Sequence, residues 1–108
     1  LAERPITIVY KETNWSKSKM RIETSKIKRS NNTYLQGIAA YVTGTPASEL
    51  KAGDHVVWNG GTLNEVTAVH DVSKCYVVID EIENGKQYYG RKIKKTRIIA
   101  RPIEEIRK

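Results

Sequence analysis

Two turn signals, Asn59-Gly60-Gly61 and Asn84-Gly85, punctuate the second half of the chain. Asn and Gly tolerate the positive φ that a tight hairpin demands, so each signal joins two antiparallel strands. The runs around them are rich in β-branched and aromatic residues, which favour the extended state. They fall at residues 55–58, 62–70, 75–82, 86–95 and 97–101, with a loop at 71–74. Leu63, Val66 and Val69 anchor the second run. The third, opening Cys75-Tyr76-Val77-Val78-Ile79, is the most apolar, and Val78→Asp is expected to unfold the domain. Pro102 ends the fifth run, and residues 103–107 suit a last helical turn. Short strands joined by tight turns predict a mainly β fold, with a small five-stranded barrel over residues 46–108.

Residues 45–53 read as one short helical turn. Thr45 is the expected cap, Pro46 the first helical residue and Gly53 the exit, with Leu50 plugging one end of the barrel. Residues 1–45 then form an N-terminal β segment, packed on the barrel or part of the same sheet. Residues 5–11 predict an edge strand that starts at Pro5 and keeps Ile6, Ile8 and Tyr10 on one face. Residues 14–24 alternate: Trp15, Lys17, Lys19, Arg21 and Glu23 share one face, and Met20 and Ile22 turn inward on the other. Ser30-Asn31-Asn32-Thr33 is a turn cluster. Residues 34–43 predict one strand bent at Gly37; Ala39-Ala40 suggests a helix there, but Tyr41, Val42 and Thr43 favour extension.

The chain has 108 residues. A chain this short buries only about two-thirds of the surface its unfolded state exposes, which leaves little room for a deep substrate cavity. No apolar run approaches the roughly 18 residues needed to cross a membrane, and no secretory leader pattern is visible. The opening at Leu1 is expected of a processed N-terminus or of a piece of a longer chain. Cys75 is the only cysteine, which excludes an intrachain disulfide and predicts a reducing, cytoplasmic setting. Cys75 itself reads as a small buried hydrophobe. Two His and one Cys cannot assemble a usual zinc site. Asp80 and Glu81 are adjacent on a strand and point to opposite faces, which argues against a shared metal. Asp54-His55 and His70-Asp71 lack a nucleophile motif, and no glycine spacing of the phosphate-binding type occurs. Neither catalysis nor a cofactor is expected.

The segment Leu50-Lys51-Ala52-Gly53-Asp54-His55-Val56 resembles the opening of KOW-type and other SH3-like modules, where Leu, Gly-Asp and Val precede the first strand. Leu50, Gly53, Asp54 and Val56 carry the match, which implies an SH3-like barrel and no particular activity. Intein-like folds open in the same way, but no nucleophilic Cys or Ser stands at a splice junction. Residues 45–101 also resemble small basic proteins of phages and mobile elements, through Gly53-Asp54, Val57-Trp58-Asn59, Tyr89-Gly90-Arg91-Lys92 and Arg97-Ile98-Ile99-Ala100.

Net charge is +7, which favours anionic partners. Residues 86–101 hold seven basic side chains and no acid: Lys86, Arg91, Lys92, Lys94, Lys95, Arg97 and Arg101. Tyr88 and Tyr89 stand at their start. Cations neutralise phosphates and release counterions, and aromatics stack on exposed bases. A second basic stretch comprises Trp15, Lys17, Lys19, Arg21, Lys26, Lys28 and Arg29. Together they predict noncatalytic nucleic-acid binding, with Arg91, Lys92, Lys94, Lys95 and Arg97 on the backbone, Lys17, Lys19, Arg21, Lys28 and Arg29 extending the footprint, and Trp15 and Tyr89 stacking. Changing Lys92, Lys94 and Lys95 together to Glu is expected to abolish that binding. The competing readings are a protein-interaction module for an acidic face of a host protein, with an apolar patch around Trp58 and Tyr34, and a solvated edge in which Lys blocks aggregation.

Overall fold

The computed structural model describes residues 9–12 and 20–106; the expectations for Pro5, Ile6, Ile8, Trp15, Lys17 and Lys19 lie outside them. The fold is mainly β. The strands are β1 (Val9–Glu12), β2 (Arg21–Ser25), β3 (Asn32–Leu35), β4 (Ala40–Pro46), β5 (His55–Val57), β6 (Leu63–Asp71), β7 (Tyr76–Glu83), β8 (Lys86–Lys94) and β9 (Ile98–Ala100), and α1 (Ile103–Ile106) follows. Among the described residues they form one antiparallel sheet in the order β1-β2-β4-β9-β5-β6-β7-β8, with β3 paired to β4.

The five expected C-terminal strands are present in the expected order. β5 to β8 make a meander, and β9 returns to β5 with Val57 opposite Ala100. The barrel does not close, however. β8 pairs only with β7 among the described residues, and the other flank of β9 is taken by β4. β4 runs across the expected boundary at residue 45, so both halves of the chain share one sheet. Gly44 permits this junction: a Cβ there would stand 1.9 Å from the Ile99 carbonyl oxygen.

Period-two alternation places two cores on the two faces of the central strands. Val56 of β5 and Ile99 of β9 join Ala47, Leu50, Val66, Val77, Ile79 and Ile93. Their neighbours Val57 and Ala100 join Ile22, Leu35, Val42 and Leu63, with Met20 and Ile38 packed alongside. Leu50 is buried as expected. On β7 the inward residues are Val77 and Ile79; Val78 faces the other way, opposite His70 and Lys92, which corrects its expected core position. Cys75 is exposed rather than buried. It lies in the loop before β7, where the Ser73 hydroxyl oxygen accepts the Cys75 and Tyr76 amides.

Both Asn-Gly signals form turns. Asn84 and Gly85 take φ of 51° and 81°, the pair of positive values a type I′ hairpin needs. The Trp58 amide donates to the Thr62 carbonyl across Asn59-Gly60-Gly61. Residues 34–43 are not one bent strand but a β3–β4 hairpin. The Gly37 amide donates to the Asn59 carbonyl, the Gln36 amide to Asn59 Oδ1, and Ala39 turns the chain at φ 59°. The tertiary anchor on Asn59 overrides the local extended preference. The helical turn is a short 3-10 turn, Ala47–Glu49. Thr45 does not cap it; Thr45 lies in β4 and accepts a hydrogen bond from Arg101.

α1 closes the end of the sheet through its two acids. Glu105 accepts the His55 amide at 2.8 Å, the His55 Nδ1–H at 2.6 Å and Arg101 at 2.6 Å. Glu104 accepts the Arg21 amide and guanidinium at 2.9 and 2.8 Å. Burial raises the affinity of Glu105 for a proton, but the His55 amide, Arg101 and the His55 ring outweigh it and hold the carboxyl below its ordinary range. Arg21 does the same for Glu104 against a smaller burial. Both folded-state values are depressed, so their stabilisation is present above the ordinary glutamate value of about 4.3 and is lost as pH falls through the folded values. The melting temperature is therefore expected to drop on acidification below about pH 4.5. Glu105→Gln should flatten that drop; an unchanged profile in the variant would remove the clamp from the account.

Candidate functional site

The alternation that buries Val77 and Ile79 also carries Glu81 inward, where its side chain is only 2 % exposed. A carboxylate in such a place must be paired and hydrogen-bonded. Glu81 Oε1 accepts the Trp58 indole N–H at 2.7 Å and Asn64 Nδ2 at 2.9 Å, and Oε2 accepts Arg91 Nε. The Arg91 guanidinium lies 4.2 Å over the Trp58 ring, and Arg97 approaches the same ring at 5.9 Å. Two cations thus share one indole, each within the distance at which the ring quadrupole attracts it.

Arg91 lines two clefts. One, of about 470 Å³, is bounded by Tyr34, Gln36, Trp58, Asn59, Arg91 and Arg97. The other, of about 400 Å³, is bounded by Asn64, Glu81, Glu83, Tyr88, Tyr89 and Arg91. Each has exposed aromatic surface at its margin. Tyr34 is half exposed and packs edge-on against Tyr41 with ring centroids 5.2 Å apart. Tyr89 is 78 % exposed, the most of any large apolar side chain among the described residues.

A β-bulge presents Tyr89. The register between β7 and β8 shifts between Ile79 and Glu81, leaving Tyr89 and Gly90 opposite Asp80. Gly90 takes φ 83°, a conformation that suits glycine at a bulge. Asp80 fixes it by accepting the Gly90 amide and a His70 ring N–H, both at 3.0 Å. The His70 bond and then the Gly90 amide hold the Asp80 carboxyl below its usual range.

The basic run 86–101 does not form one face. Arg91 and Ile93 are on the inner side of β8, and Lys92 and Lys94 are on the outer side, with Lys92 over the Tyr76 ring at 4.5 Å. Lys95 is engaged with Asp71 at 2.8 Å. Arg101 is buried; it donates to the His55 carbonyl and to Glu105 and serves the fold. Arg21 is tied to Glu104. Lys26, Lys28 and Arg29 are exposed in the β2–β3 connection. The structure therefore brings together Arg91, Arg97, Trp58 and the tyrosines, and separates Lys92, Lys94 and Lys95 from them.

Sequence reasoning weighed Glu81 only as a metal ligand, and it missed Asn64. The signal for Glu81 was present: it shares parity with Val77 and Ile79. Asn64 gave none, because its burial depends on the carboxylates of another strand.

Among the described residues no helix is long and apolar enough to cross a membrane, and no three His, Cys, Asp or Glu side chains are placed to hold a metal. No family model, curated protein or solved structure matches the chain.

Proposed function

We propose that the protein binds single-stranded nucleic acid without catalysing a reaction on it. The observation that carries this reading is the Arg91–Trp58–Arg97 stack set between two clefts with exposed tyrosines. Guanidinium groups pair with phosphates, and tyrosine faces stack on bases that are not already paired in a duplex. The covering of Trp58 by two cations favours an anionic ligand over the apolar contact of a protein-binding patch. Phosphate contact makes affinity fall steeply with salt, and stacking makes it favour single strands. Fluorescence anisotropy with labelled single- and double-stranded DNA and RNA at two salt concentrations tests both points. Tighter binding of a single strand, weakening several-fold or more between the two salts, is the expected result. No binding at low salt would overturn the proposal and turn attention to an acidic protein surface.

A further inference from the structure

We infer that Asp80 is a positioning residue of the interface: without meeting the bound strand, it holds the β8 bulge that gathers Tyr88 and Tyr89 on the side of Arg91. This rests on the single-strand reading above. The starting observation is a break in parity. Arg91 pairs with Ile79 and Ile93 with Val77, so both point to the inner side of the sheet, where Ile79 and Val77 are buried. Carried unbroken past Arg91, that register sets Tyr88 opposite Ile82, on the outer side. Tyr88 pairs instead with Glu81, because Tyr89 and Gly90 together stand opposite Asp80. Tyr88 and Arg91 are three positions apart and face opposite ways on a regular strand. The extra residue turns both inward, and with Tyr89 they line one cleft.

A side chain keeps the extra residue in place. A bulge takes a backbone group out of the ladder, and that group needs another partner. Asp80 Oδ1 supplies it by accepting the Gly90 amide at 3.0 Å. Asp80 Oδ2 accepts the His70 ring N–H at 3.0 Å, so β6 fixes the rotation of the carboxylate. Gly90 contributes its φ of 83°. Asp80 follows the inward Ile79 and precedes the inward Glu81 on β7, so it points to the outer face, away from the cleft. It therefore acts through the Gly90 backbone and not through contact with a ligand. Its charge marks the difference. A carboxylate near a phosphate strand repels it, so removing Asp80 tightens binding if charge alone matters. Removing a clamp on the bulge weakens binding, because Tyr88 then leaves the cleft.

The test titrates a labelled oligothymidine strand into the intact protein and its variants at fixed salt, with circular dichroism as the check on folding. Asp80→Ala is expected to weaken binding roughly tenfold, the loss of about one stacked base. Asp80→Asn is expected to bind as the wild type does, because its amide oxygen still accepts the Gly90 N–H. In a protein already carrying Tyr88→Ala and Tyr89→Ala, adding Asp80→Ala is expected to cost no more than about twofold further, since coupled residues do not add. A stability role alone moves none of these in a folded variant. Unchanged or tighter binding by folded Asp80→Ala, or an undiminished loss in the tyrosine-free background, would overturn the inference and leave the single-strand reading intact. Should Asp80→Ala not fold, His70→Ala carries the test: its side chain is half exposed, and its removal frees the carboxylate to turn from Gly90. Weaker binding by that variant is then the expected result, and unchanged binding overturns the inference. No binding of the strand by the wild-type protein would overturn the single-strand reading and this inference with it.

Discussion

Ile79→Asp is expected to abolish cooperative folding, whereas Val78→Asp, one residue away, is expected to leave a folded protein. Ile79 is fully buried against Val56, Val66, Val77 and Ile93. An unpaired carboxylate there costs several kcal/mol, of order ~3–5. Small domains have about 5–15 kcal/mol to lose, and one this short is expected near the lower end. Val78 sits opposite His70 and Lys92 on the outer side of β7, where a carboxylate meets solvent and basic neighbours. Urea melts followed by circular dichroism separate the outcomes. A cooperative transition in Ile79→Asp, or its loss in Val78→Asp, would mean that β7 buries its other face.

The second large effect concerns binding. Arg97→Glu combined with Tyr89→Ala is expected to weaken single-strand affinity about a hundredfold. Losing one stacked base is worth about 1–3 kcal/mol, or roughly five- to 150-fold. Reversing a phosphate-contacting charge contributes the rest and flattens the salt dependence. Both side chains are exposed, so the fold should survive. Arg91 is a poorer choice for this test, because it is the counter-ion of buried Glu81, and removing it strands that charge. Reversing Lys92 and Lys94 is expected to change affinity only a few-fold, since they act from the far side of β8 through a screened field. A larger loss from the lysine pair than from Arg97 and Tyr89 would move the interface to the outer face.

The contrast between Arg91 and Lys92 shows how far the sequence could be read. Hairpins were legible because Asn84-Gly85 and Asn59-Gly60-Gly61 impose local backbone geometry that no distant contact needs to supply. Alternation was legible too, and it correctly turned Ile22 inward. Applied to β7 it required knowing which parity faced the core, and a one-residue error there moves every side chain to the other face. In β8 the basic residues read as one segment, although regular alternation beyond the bulge sets Arg91 on one side and Lys92 and Lys94 on the other. The β3–β4 hairpin was not legible at all, because Gln36 and Gly37 are held by Asn59, more than twenty positions away. Closure failed for a related reason. Nothing within residues 46–108 reveals that β4 will take the free flank of β9.

The most direct test of the proposed interface is a titration of the 15N-labelled protein with a single-stranded oligonucleotide, followed by amide and indole chemical shifts. The Trp58 indole N–H, held by Glu81 beneath Arg91, reports on the centre of the site. The account predicts the largest shifts at that indole and at the amides of Tyr34, Gln36, Tyr89, Arg91 and Arg97, with Lys92 and Lys94 changing less. Shifts concentrated on Tyr76, Lys92 and Lys94, with the Trp58 indole unmoved, would contradict it.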